Sequence, residues 1–531
     1  MPASISSIAA LAIIVPYLTA TIAVGQIVRR RVRDSAQFLH ARRALPTLVT
    51  AVAFVAANCG ALEVVGIVTA SAKYGVLALD FYWIGAIPAM VFLGLMMMPL
   101  YAQSGAMTMP DYLRLRYGRP THVLSVLSLA VMMAFVSGIS LYAISTVLHS
   151  FFGWKFFDVV IGTAAVVLCY ALSGGLWATI YNELLQFAMT IAGLAPLAWR
   201  VYRVAGGPGG VRRQLPLEIR HLWGIPVAAP HTARMDVLGV TVGLAFALSF
   251  GYWCTDFVLI QRALAARTVE GSVRTPLLAA AVKLLFPFLI IFPGMMAARL
   301  LRGQAAPRFD EALPLLMQHY YGPALLGLGV AAIVASLMSG LAGNITAFSA
   351  LAAHDLYRQH LRPREKDLHY LRIGRLFTVV AACLSVTTAY IAFRYNNLMD
   401  YLQLIFSLFN APLCAVFLLG MFTRWTSPAG GFWGLLCGVL AAGIHNLAVR
   451  EGWLVYGSQM SANFYGAICG WVVCAAVATL ISAVTQRKTR DELRGLTYFT
   501  QRGERVRPSQ TAWALAAVVL AAGIALDWVY R

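Results

Sequence analysis

Apolar runs long enough to cross a bilayer recur along the whole 531-residue chain, and they constrain its fold more than any other feature. About 20 consecutive apolar residues make one helical crossing. Fourteen such runs can be read, near 7–27, 46–73, 82–104, 122–150, 157–175, 183–203, 236–259, 276–300, 323–350, 371–395, 398–421, 429–449, 461–484 and 510–529. Only 12% of residues are charged and mean hydropathy is +0.73, where a soluble domain is about a quarter charged. The reading is an all-α polytopic membrane protein with about 14 transmembrane helices and lipid as a partner.

The net charge of +20 is a topology signal here, not a nucleic-acid footprint. If residues 28–45 face the cytoplasm, alternate loops on that side collect 26 of the 41 Lys and Arg residues. The positive-inside rule then puts both termini outside. The expected location is a bacterial inner (plasma) membrane. The eight cysteines all fall in apolar runs without a CxxC pair, so neither a metal knuckle nor a disulfide framework is indicated. Two polar pieces, 108–118 and 354–370, are expected as surface helices or loops at the headgroups. No nucleophile–base pair or metal cluster calls for an enzyme, no soluble catalytic domain has room, and no obligatory protein partner is evident.

Two of the runs are poor membrane helices. VAANCGALEVVG (55–66) carries Asn58 and Glu63 among Gly60 and Gly66, and LSFGYWCTD sits in the seventh run. Interrupted segments at corresponding places in two halves are the sequence pointer to an inverted-repeat transporter. The division expected is 1–45, a leading helix and basic loop; 46–203 and 236–424, two five-helix repeats of a five-plus-five core; 204–235, an extracellular connection; and 425–531, three peripheral helices.

Intramembrane ionisable residues face the bundle interior or a water-filled cavity. Glu63, Glu183, Asp256 and Lys283 are of this kind. Glu63 and Lys283 have opposite signs and lie in different halves. They form either an ion pair pinning the halves together or part of a polar substrate pocket. Unwinding around Cys59 and Gly60 would bring Asn58 to the same cavity as Glu63 and free carbonyl oxygens for a hard cation such as Na⁺. Ser336 and Ser339, at i and i+3, share a helix face. They serve close helix packing, as small residues do in membranes, or ligate that cation. Tyr252 and Trp253 are either core aromatics or groups that stack on or gate a solute.

Several stretches together resemble the sodium:solute symporter family. They are YALSGGLWATIYNELLQF (170–187), YWCTDFVLIQRALAAR (252–267), VKLLFPFLIIFPGMMA (282–297), SLMSGLAGNITAFSALAAHDLY (336–357), APLCAVFLLGMF (411–422) and DELRGLTYF (491–499), in the family's order over roughly 35 to 500. The resemblance implies a LeuT-like fold and a Na⁺ site between the first and eighth core helices. Ala56, Cys59 and Ser336 would supply carbonyls and Ser339 a hydroxyl; Gly340 stands where the family often has a second hydroxyl. Asn58, Tyr252 and Lys283 match residue types of the sugar-transporting branch. Glu63 replaces its Gln, Ser249 its Asn and Trp83 a Glu, and Glu183 and Asp256, possible coupling groups, also depart from it. The function implied is Na⁺-driven uptake of a small polar organic solute, a sugar or polyol first. The alternatives are a proton-coupled (H⁺) transporter of the same fold and a transporter-derived solute sensor.

Overall fold

The computed structural model describes residues 3–29, 35–40, 44–215, 217–220, 236–301, 309–393, 398–500 and 507–530. Half of the 204–235 connection, part of the 28–45 loop and residues 394–397 lie outside these.

Among the described residues, ten helices are long and apolar enough to cross a membrane, and two bent helix pairs raise the number to twelve. Ala12–Val28 is a shorter apolar helix. One of the ten, Phe156–Ala205, has 50 residues. At 1.5 Å per residue that is about 75 Å, more than twice the hydrocarbon thickness. Its interior break is Gly175, at φ 53°, where a Cβ would collide with the Phe38 carbonyl oxygen. Only glycine tolerates that left-handed backbone in so close a contact.

The first bent pair is Thr47–Asn58 with Glu63–Tyr74, at 55°. Pro46, in extended backbone, starts it. It breaks at Cys59 and Gly60 and resumes through a wide π turn over Ala61–Gly66, an irregularity that loosens the intrahelical hydrogen-bond ladder. The second pair, Gly239–Thr255 with Phe257–Leu264, bends by 49°. Asp256 makes that break: its backbone is extended and its carboxylate caps the following helix by accepting from Leu259 N at 3.0 Å.

Burial separates centre from periphery. Leu77–Ser104, Pro323–Leu361 and Leu398–Phe422 are each 78% buried over their most apolar window, whereas Pro428–Arg450, Gln459–Val484 and Gln510–Tyr530 are 22–28% buried. The last three therefore offer most of their apolar surface to lipid.

The piece at 108–118 differs from the surface helix expected of it. Met109–Tyr117 buries Tyr112, Arg116 and Tyr117. Arg116, with no exposure, donates to the carbonyls of Gly420, Thr426 and Thr423 at 2.9, 3.1 and 3.2 Å. A guanidinium fork satisfies three orphan carbonyls at a helix end, and polarity alone does not reveal that. In the 354–370 piece, His354 and Asp355 are likewise buried, while residues 361–368 are exposed.

Candidate functional site

The two broken spans, Leu77–Ser104 and Leu398–Phe422 surround a narrow cavity of about 40 Å³ lined by Asn58, Glu63, Tyr82, Ser249, Tyr252, Trp253, Gln403 and Phe406, among others. Four of the five expected solute residues are thus brought together. The fifth, Lys283, lies behind the wall with no exposure. Its Nζ is 2.6 Å from Glu63 Oε1 and donates to Asn58 Oδ1. Asn58 in turn donates through Nδ2 to the Tyr252 hydroxyl at 2.8 Å. The Phe286 ring centroid is 4.5 Å from the ammonium, within cation–π range.

The geometry combines the two readings of Glu63 and Lys283. They are an ion pair, and one member of it lines the pocket. A lone carboxylate here would be costly; paired with Lys283 it stays an acceptor facing the cavity. Trp83 does not line this cavity. It packs against Phe288 and Tyr530, with ring centroids 6.2 and 5.9 Å away. Gly85 makes room for Ser249, whose Oγ fills the space that a Cβ on that glycine would take.

A second cavity, of about 30 Å³, adjoins the first and is lined by Gly60, Ser140, Asp256, Gly340 and Asn344, among others. Asn58, Tyr252 and Phe406 line both. Tyr252 and Phe406, with centroids 4.8 Å apart, form an aromatic partition between the two spaces. Asp256 thus faces a cavity as well as capping a helix. Glu183 lines neither cavity. It is fully buried against Arg262, with Nη2–Oε1 at 2.5 Å and Nε–Oε2 at 3.3 Å, a bidentate pair.

At the first helix break the serine-bearing helix crosses within hydrogen-bond reach. Ser339 Oγ donates to the Ala56 carbonyl at 3.2 Å, and Ser336 Oγ donates to the Cys59 carbonyl. The hydroxyl of Ser336, rather than the carbonyl the resemblance implies, makes this contact. Each contact sets a hydroxyl oxygen beside a carbonyl oxygen at the helix break, and neutral oxygens of this kind are ligands for a hard monovalent cation. A Cβ on Gly60 would stand 3.0 Å from Gly340 Cα. The crossing is backbone on backbone, and Gly340 adds no side chain to hold the helices apart.

A sodium:solute symporter family model matches residues 38–438. The chain belongs to that family. It is 29% identical over 417 residues to sodium/myo-inositol cotransporter 2 of Homo sapiens, covering 72% of this chain and 61% of that protein. It is 32% identical over 384 residues to a sodium/mannose cotransporter of Bos taurus, covering 66% and 64%. The aligned region thus spans under two thirds of these relatives' length. Among solved structures, a Na⁺-coupled sialic acid symporter in a substrate-bound outward-open state superposes with TM-score 0.74 at 16% identity, over 90% of this chain and 99% of that one. A nucleobase-cation-symport-1 family transporter in a closed conformation gives 0.52 at 12%, over 86% and 97%. These likenesses establish the fold.

Gln403, Tyr82, Phe406, Asn344 and Arg262 were not singled out from the sequence. An amide inside the apolar run 398–421, which also holds Asn410, was the available signal for Gln403, by the rule that marked Asn58.

Proposed function

We propose that this protein is a secondary active symporter that couples inward Na⁺ movement to uptake of a small polar solute, a sugar or polyol. The observation carrying this reading is the junction at the first helix break. There, carbonyls of Ala56 and Cys59 meet hydroxyls of Ser339 and Ser336, one residue from Asn58 in the solute cavity wall. A cation bound at the break would order the backbone that positions Asn58 and Glu63, so the two ligands would favour each other's binding. Around the solute, the Glu63 carboxylate, the Gln403 amide and the Tyr252 hydroxyl suit several ring or chain hydroxyls. The aromatic faces of Tyr82, Trp253 and Phe406 suit their C–H surfaces.

In this reading the fold is a five-plus-five inverted repeat, 46–203 and 236–424, within fourteen spans, and both termini face outside. The break at Gly175 supports dividing Phe156–Ala205 into two spans. The halves rock about the solute site to expose it alternately.

The test is a thermal-shift screen of the purified protein with sugars, polyols, amino acids and organic acids, each in Na⁺ or choline and at two pH values. A bound ligand raises apparent stability by mass action. The expected result is stabilisation by a polyhydroxylated solute in Na⁺ only, followed by Na⁺-dependent uptake in proteoliposomes. Stabilisation that is equal in choline, or that follows pH instead, transfers the reading to proton coupling.

A further inference from the structure

Away from the central cavities, an apolar groove of about 720 Å³ runs between four helices, Ala3–Arg29, Arg119–Phe152, Phe156–Ala205 and Pro323–Ala350. Leu18, Val166, Val334 and Met338 line its walls, and Trp154, Lys155 and Asp158 stand at one end.

That end is a fixed structure. Gly153, at φ 69°, terminates the preceding helix. His149 Nδ1 lies 2.9 Å from the Trp154 carbonyl oxygen, and the Trp154 ring stacks on Phe152 at 5.1 Å. An exposed tryptophan beside a lysine is the usual chemistry of a membrane–water interface.

The groove's depth can be read from helix rise. Val166 is eight residues beyond Asp158, and Val334 and Met338 are eleven and fifteen beyond Pro323. At 1.5 Å per residue these are about 12, 17 and 22 Å. The groove therefore runs from the headgroup level to about the middle of a hydrocarbon core roughly 30 Å thick, the depth of one leaflet. Its mouth carries one cationic and one anionic side chain, both exposed and one helical turn apart.

We propose that this groove is a binding site for one glycerophospholipid whose headgroup bears both a phosphate and a primary ammonium. Lys155 takes the phosphate, Asp158 the ammonium, and the acyl chains lie along Val15, Leu18 and Val166, over a floor that the buried Val334 and Met338 close. The Asp158 carboxylate disfavours a headgroup with net negative charge. Val334 and Met338 lie on the face of their helix opposite Ser336 and Ser339, by the 100° advance per residue. The lipid thus backs the helix that presents those hydroxyls.

The experiment relipidates the detergent-purified full chain with phosphatidylethanolamine and phosphatidylglycerol of identical acyl chains at equal mole fraction. Lipid retained after gel filtration is then measured by native mass spectrometry. Wild type should retain phosphatidylethanolamine over phosphatidylglycerol by about fivefold, the ratio one well-placed surface charge supplies. K155A/D158N should abolish that preference. Gly162→Trp should release the lipid, because Gly162 lines the groove and a Cβ there meets nothing within 4 Å. Equal retention of the two lipids by wild type overturns the proposal, as does unchanged retention by a folded Gly162→Trp. If Gly162→Trp does not fold, the exposed double variant decides: a preference that survives it overturns the site.

Discussion

The Lys283 side chain has no exposure, and three neighbours surround its amine. Glu63 supplies the opposite charge at 2.6 Å, Asn58 accepts a hydrogen bond and Phe286 offers a ring face. Removing one member of a buried pair leaves the other uncompensated, at about 3–5 kcal/mol. Lys283→Met should therefore lower unfolding stability by about that amount, and adding Glu63→Gln should restore most of it. A double variant no more stable than Lys283→Met, in detergent thermal unfolding, would remove the pair from the account. Transport by the double variant, with altered solute preference, is expected because the amide that replaces the Glu63 carboxylate still faces the cavity. Ser339 is tested separately. Losing one hydroxyl contact of about 1 kcal/mol raises a half-saturation constant about fivefold. Ser339→Ala should do this to the Na⁺ dependence of uptake while solute affinity at saturating Na⁺ stays unchanged. An unmoved Na⁺ half-saturation excludes Ser339 from the cation site.

The elements around the site depend on glycines that do different jobs. Gly60 allows two helix backbones to cross at van der Waals distance, while Gly175 adopts a positive φ in contact with Phe38. Gly162 does neither, and a Cβ there meets open space. Gly175→Ala should lose about 1–3 kcal/mol or more, since strain and a clash combine. Gly162→Ala should be near neutral or slightly stabilising, because alanine is the better helix former. Equal melting temperatures for the two variants would show that the break at Gly175 is not strained. The broken helices were legible because polar and glycine residues stand out against apolar neighbours. The partnership of Glu183 with Arg262 was not, for the two lie 79 residues apart and no local period links them.

At the scale of the whole molecule, buried polar staples connect segments that are distant along the chain. Arg116 closes three carbonyls around the end of Leu398–Phe422. The backbone of Leu45, ahead of the first broken span, pairs with Ala265 and Arg267 behind the second, at 3.1 and 2.8 Å. Arg116→Lys keeps the charge but loses the planar fork. It should cost at least about 2 kcal/mol, one charge-assisted hydrogen bond, measured as a fall in melting temperature. A melting temperature equal to wild type would mean that the three carbonyls find other donors.

Lipid compatibility, the helical class and the two broken spans were decided by the sequence itself. Hydropathy acts locally, residue by residue, and a carboxylate or glycine within an apolar run departs from its surroundings whatever the fold. The ordered motifs also carried the family, and Asn58, Glu63, Ser249, Tyr252 and Trp253 of the cavity wall were named from the sequence. Only the tertiary structure decided that Lys283 stands behind Glu63 rather than in the cavity, that Arg116 is buried, and that Gln403 joins the solute wall. Each of these depends on which helix face meets which neighbour. That choice is made by packing and by satisfying buried polar groups across hundreds of residues, where no short-range pattern reaches.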